Sequence, residues 1–187
     1  MDTVEQSASN DNVQTFAAMF DGYAQAVARF ELAAKEQEPQ PSFIALFEAL
    51  NWAVALDDRA AKHWAPEGEV LGYDWRERVS HAGVMGGVRF ARNSVHHQWS
   101  DALALDRGGF TFPMTFPMVF FEWRWRPAAE LPEPDRRDRY HEQNEAIYRE
   151  GMEGLPARST LAALGNAFGF LRLVLEPSSI PRSGATG

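Results

Sequence analysis

Apolar residues recur along the first part of the chain in steps of three and four. Val13, Phe16, Ala17, Phe20, Tyr23, Ala24, Val27, Phe30 and Ala34 fall on one side of a helix. Asn10 or Asp11 can cap its start. The stretch Glu36-Gln37-Glu38-Pro39-Gln40-Pro41 ends it, because a proline disfavours helix in the residue before it. Ser42 is then placed to cap a second helix carrying Phe43, Ile44, Leu46, Phe47, Leu50, Ala53, Val54 and Leu56. That helix is apolar over most of its circumference, the pattern of a central, buried element, and Glu48 and Asn51 are the polar intrusions. Asp57-Asp58-Arg59 is expected to close it, ahead of a loop over His63–Asp74 that contains Pro66, Gly68 and Gly72.

A third helix is expected from Asp74 or Trp75 to about Leu105, ended by Asp106-Arg107-Gly108-Gly109. Gly83, Gly86 and Gly87 interrupt it, either letting another helix come close or marking a bend. Next stands a tandem repeat, Thr111-Phe112-Pro113-Met114 and Thr115-Phe116-Pro117-Met118, whose prolines exclude helix. In Val119–Arg126 the pattern changes to strict alternation. Phe121, Trp123 and Trp125 lie on one side and Glu122, Arg124 and Arg126 on the other, as in a half-buried strand that can pair back with Phe110–Phe112. Pro127–Pro134 reads as a linker and Asp135–Glu153 as a mostly polar helix. Ser159 or Thr160 caps a last amphipathic helix through Leu175. The expected fold is a single all-α domain over 11–176, a bundle of about five helices with a small β-ribbon insertion near 110–126. Residues 1–10 and 177–187 are expected to be flexible tails.

Composition narrows this picture. At 187 residues, 45% hydrophobic and 24% charged, the chain is a globular one of one-domain length. Cysteine is absent, which excludes disulfides and thiolate metal sites. The start lacks a signal-peptide pattern, and the most apolar segment, Phe43–Leu56, is too short to span a bilayer. These features predict a soluble, cytoplasmic protein without a membrane partner. A net charge of −8 weighs against broad, sequence-blind nucleic-acid binding but leaves room for a local basic cleft. Of 18 basic residues only Lys35 and Lys62 are lysine, a bias that also fits a GC-rich coding sequence.

The candidate chemistry gathers in Arg89-Phe90-Ala91-Arg92-Asn93-Ser94-Val95-His96-His97-Gln98-Trp99. Arginine is a flat, permanently charged fork matched to phosphate oxygens. Histidine exchanges a proton near neutral pH, and an asparagine amide both donates and accepts. Together these groups suit work on a phosphodiester without a metal or other cofactor. On a helix Arg92 and His97 stand about 140° apart, whereas Asn93 shares a face with His97, and Arg89 and His96 share one with Arg92. One protomer therefore has difficulty bringing Arg92 and His97 onto one substrate, and two antiparallel copies across a two-fold axis remove the difficulty. The same residues also fit a structural role, with Arg92 salt-bridging a neighbouring helix and the histidines on a surface.

Arg92, Asn93 and His97 match, position by position, the signature of the HEPN superfamily: an arginine, a polar residue, and a histidine four to six positions beyond the arginine. The resemblance covers residues 12–176, and its specific part is about a dozen residues. It implies a small all-α domain acting as a homodimer with a shared cleft. Many members are metal-independent endoribonucleases in toxin–antitoxin, abortive-infection and CRISPR systems. Others are scaffolds without activity that bind RNA or a protein partner. For this chain the resemblance implies RNA as substrate and an antitoxin or other regulatory protein as a further partner. His97 would serve as general base on the ribose 2′-hydroxyl or as acid toward the leaving 5′-oxygen. Arg92 would stabilise the phosphorane, Asn93 would hold the histidine or the phosphate, and His96 and Arg89 would support them. The expected product is a 2′,3′-cyclic phosphate. Some members carry a tyrosine two positions after the histidine that accepts an adenylyl group; Trp99 stands there in this chain, so that control is not expected.

Two further patterns have competing readings. Arg124 and Arg126, interleaved with Trp123 and Trp125, can form a stacking platform for single-stranded RNA, or a hairpin whose indoles cover the bundle while its arginines face water. His81, His96, His97 and His141 with Asp57 or Asp58 could hold a metal, but no His-Glu-x-x-His motif supports it, and the expectation is none.

Overall fold

The computed structural model describes residues 2–64, 75–96, 102–111, 117–133, 137 and 139–175. They form an all-α bundle with one small antiparallel ribbon. In chain order the elements are α1 (Asp2–Lys35), α2 (Pro39–Trp64), the single turn α3 (Trp75–Arg78), α4 (Met85–His96), β1 (Leu103–Thr111), β2 (Pro117–Trp125), α5 (His141–Gly151) and α6 (Ala157–Leu175). Short 3₁₀ turns stand at Ala82–Val84 and Ala128–Glu130.

Helices α1 and α2 form a long hairpin. Phe16, Tyr23, Ala26, Phe30 and Ala33 of α1 are buried against Ala45, Leu46, Ala49, Leu50, Ala53 and Leu56 of α2. The many alanines let the two backbones approach, and Gly22 makes room for the Trp52 ring. Glu48, one of the polar intrusions in α2, pairs with Arg29 of α1 on the exposed side of the hairpin. At the bend Gln37 takes a left-handed φ of 60°, Glu38 N–H reaches Ala33 O at 3.0 Å and Gln37 N–H reaches Ala34 O at 3.2 Å. These two bonds are the pair that closes a helix in a Schellman turn. Helix α6 packs on α1, where the Tyr23 hydroxyl donates to Leu161 O at 2.6 Å and the Tyr23 and Phe168 rings meet edge-on at 5.2 Å.

Several boundaries differ from the sequence expectations. Helix α1 starts at Asp2, ahead of Asn10, and no glycine or proline stands between Asp2 and Asp21 to stop it. The expected tail at 177–187 lies outside the described residues. Helix α2 begins at Pro39, because a proline in the first turn lacks only an N–H that the helix leaves unused. Ser42 is consequently not a cap; its hydroxyl is buried. The same helix runs through Asp57-Asp58-Arg59 to Trp64. The expected long third helix is two pieces: α3 ends at Arg78, His81 turns the chain at φ 69°, and α4 begins at Met85. By Leu103 the chain is already a strand, because Leu103, Ala104 and Leu105 pair with Trp125, Arg124 and Trp123. The polar helix expected from Asp135 is described as helix only from His141, and α6 starts at Ala157, two residues before the expected cap.

Both readings of the glycines hold, at different positions. The break falls just before Gly83, and Gly86-Gly87 let α4 lie against α5. A Cβ at Gly87 would stand 2.7 Å from Met152 Sδ and 2.9 Å from the Tyr148 Cα, whereas one at Gly83 meets nothing within 4 Å. Gly87→Ala is therefore expected to cost roughly 1–3 kcal/mol in urea unfolding, with Gly83→Ala near wild type. Equal midpoints for the two variants would contradict this α4–α5 contact.

Candidate functional site

The site is built where α2, α3 and α4 meet, around a carboxylate that the sequence placed at a helix end. Asp57 lies inside α2 and is fully buried. Its Oδ1 accepts from Trp75 Nε1 at 3.0 Å and from Arg76 Nε at 2.8 Å. Its Oδ2 accepts from Arg89 Nε at 2.6 Å and also from Arg76 Nη2. Arg89 Nη2 continues to Asp58 Oδ1. A buried carboxylate is tolerated when charge and lone pairs are both satisfied, and here two guanidinium groups and an indole satisfy them. The same bonds tie α3 and α4 to α2. Arg89, expected to support catalysis, is thus held in a structural ion-pair network.

Arg92 stands one turn further along α4 and is held differently. Its Nε donates to Asn51 Oδ1 at 3.1 Å and its Nη1 donates to Asn93 Oδ1 at 3.2 Å. Asn51 is fixed in turn, since its Nδ2 donates to Phe47 O at 2.8 Å within α2. Both partners are neutral amide oxygens, and among the described residues Arg92 makes no ion pair. The guanidinium is half-buried. Burial and then the nearby Arg89 pull its pKa below the ordinary arginine value, with Asp58 pulling the other way. Among the described residues such a group is oriented and not ion-paired, which is what an anion-binding arginine requires.

Asn93, expected to hold a histidine or a phosphate, contacts Arg92. Of His96 only the backbone, the last residue of α4, is described, and His97 and Trp99 lie outside the described residues. Asn51 is the residue that sequence reasoning did not place in the site. Its signal was a lone amide inside an otherwise apolar helix face. On α2, burial and then Arg59 lower the His63 pKa.

The ribbon resolves toward structure. Trp123 and Trp125 are 6% and 1% exposed, and Trp125 Nε1 donates to Thr160 Oγ1 at 3.0 Å. Thr160, expected as a helix cap, serves instead to hold this indole. Arg124 bonds Asp106 at 2.9 Å and Gly154 O at 2.8 Å, while Arg126 bonds Leu103 O at 2.9 Å. Buried indoles offer no face to a base, so of the two readings of Trp123, Trp125, Arg124 and Arg126 the geometry fits the hairpin whose indoles cover the bundle.

A separate cavity of about 230 Å³ opens on the opposite side of α4, lined by Phe90, Leu131, His141, Glu145 and Arg149 among others. Its charged residues stand at four-residue intervals and pair along the chain, Arg137 with Glu133 at 3.0 Å and Arg149 with Glu145 at 2.6 Å. Such exposed pairs satisfy one another and add little net charge. Among the described residues no three His, Asp or Glu side chains gather as metal ligands, and no helix is long and apolar enough to cross a membrane. Compared with protein-family models, with curated proteins and with solved structures, the chain matches none.

Removing the charge at Asp57 leaves two half-buried guanidinium groups facing each other. Asp57→Asn is expected to lose roughly 3–5 kcal/mol of unfolding free energy. Asp58→Asn, at a side chain 44% exposed, should lose less than about 1 kcal/mol. Comparable losses at the two positions, read by urea denaturation, would refute the anchoring role of Asp57.

Proposed function

We propose that this chain is a HEPN-like, metal-independent endoribonuclease that acts as a homodimer. The observation that carries the reading is the pairing of Arg92. One turn apart on α4, Arg89 is ion-paired with Asp57 and Asp58, whereas among the described residues Arg92 is held by amides. A charge without an ion-pair partner among the described residues, beside Asn93 on α4, supports a phosphodiester as ligand.

In this reading the ribose 2′-oxygen attacks phosphorus as its proton passes to a base, and the phosphorus–O5′ bond breaks as O5′ gains a proton. His97 serves as that base or as the acid toward O5′. Arg92 stabilises the charge that grows on the non-bridging oxygens. The products are a 2′,3′-cyclic phosphate and a 5′-hydroxyl, and DNA is spared because it lacks the nucleophile. Since Arg92 and His97 are separated by about 140° around a helix, one protomer supplies the arginine and its partner the histidine across a two-fold axis. A ribonuclease of this kind fits a toxin or defence protein restrained by a regulatory partner.

The test is cleavage of end-labelled RNA by purified protein in excess chelator. Wild type is expected to give cyclic-phosphate ends, and Arg92→Ala and His97→Ala each to lose about a hundredfold or more in rate. Mixing the two variants after subunit exchange should restore about a quarter of wild-type activity, because only the mixed dimer rebuilds one shared site. RNA retained without cleavage would favour a catalytically silent RNA-binding dimer. Cleavage unaffected by Arg92→Ala would remove the assignment altogether.

A further inference from the structure

The contrast between Arg89 and Arg92 has its origin on α2. Along one helix, the residues facing α4 are an amide at Asn51 and carboxylates at Asp57 and Asp58. The carboxylates lock Arg89 in place and cancel its charge. The amide offers an acceptor of similar shape with no charge. Asn51 is itself prevented from turning its nitrogen toward α4, because Nδ2 donates to Phe47 O at 2.8 Å. Its oxygen is thereby committed to Arg92 Nε at 3.1 Å. Asn93 Oδ1 takes Nη1 from the other side at 3.2 Å. Two amides on two helices define where the guanidinium points, and neither occupies the charge.

We propose that Asn51 is a positioning residue: it aims the Arg92 guanidinium and leaves it charged for an oxyanion of the phosphate class. The inference rests on the nuclease reading for the identity of that ligand as a phosphodiester. The geometry also explains why an amide serves here and a carboxylate would not. An aspartate at this position would form with Arg92 the ion pair that Asp58 forms with Arg89, and the ligand would then have to compete with it. Burial already disfavours the Arg92 charge, and an arriving anion offsets part of that cost.

The experiment follows the Arg92 Nε–H signal by nitrogen-15 NMR while inorganic phosphate is titrated into full-length wild type, Asn51→Ala, Asn51→Asp and Arg92→Ala. Cleavage of RNA and urea unfolding are measured on the same samples. In wild type the signal should shift with phosphate. Asn51→Asp should weaken phosphate binding by about tenfold or more, and Asn51→Ala by severalfold, through lost orientation alone. If RNA is cleaved, both variants should lower kcat more than they change KM, since charge at phosphorus is greatest in the transition state. A merely structural amide would change the unfolding midpoint and leave phosphate affinity and the kcat-to-KM split in place, and that result overturns the proposal. A wild-type Arg92 signal that ignores phosphate also overturns it. Phosphate binding that depends on Asn51 in a protein that cleaves no RNA would uphold the proposal and reject the nuclease reading. Cleavage that depends on Arg92 and ignores Asn51→Asp would do the reverse.

Discussion

The junction of α2, α3 and α4 depends on one buried negative charge. An isolated carboxylate inside a protein is costly, and the cost is offset only when cations and hydrogen-bond donors fill its lone pairs. At Asp57 those donors come from Trp75, Arg76 and Arg89, which belong to two other elements. The stub helix α3, a single turn with little stability of its own, is held by two of these contacts. The broken path between Arg78 and Met85 follows from the need to bring both Arg76 and Arg89 onto the same carboxylate.

The same anchor sets the geometry of the site. Once Arg89 is fixed to Asp57, the rotation of α4 about its axis is fixed, and Arg92, one turn on, faces Asn51. The opposite face is committed as firmly. Gly86 and Gly87 bring α4 against α5, and Phe90 meets the ring of Tyr148 at 5.1 Å. Tyr148 in turn donates its hydroxyl to Arg126 O at 2.6 Å, which carries the packing on to the base of the ribbon. Burial, with Glu153 adding to it, raises the pKa of that phenol, so it stays a donor across the neutral range. Helix α4 is therefore clamped by apolar packing on one side and by charge on the other, and Arg92 lies on the charged side.

The ribbon illustrates how one pattern serves two ends. Alternation of indole and guanidinium groups is what a stacking surface for RNA would show, and it is also what an amphipathic strand shows when its apolar side covers a core. Here the apolar side turns inward, and the arginines are taken up by Asp106, Gly154 and Leu103. The outer edge of β2 is paired too, through Trp125 N–H to Leu155 O at 3.1 Å and Gly154 N–H to Trp125 O at 2.9 Å.

What the sequence by itself determined is the helical class, the first two helices, the amphipathic α6 and the alternating ribbon. All are carried by local periodicity, which needs no knowledge of distant partners. It also singled out Arg92 and Asn93, because a cation beside an amide is written in adjacent letters. Only the tertiary structure decided that α2 continues through Asp57, that the third helix breaks, and that Leu103–Leu105 is a strand. In each case a partner far along the chain outweighed the local preference: Arg76 and Arg89 for the carboxylate, Trp123–Trp125 for the strand. Tertiary contact alone also separated Arg89 from Arg92. The two are the same residue type on the same helix face, and what distinguishes them is whether α2 meets them with a carboxylate or with the amide of Asn51.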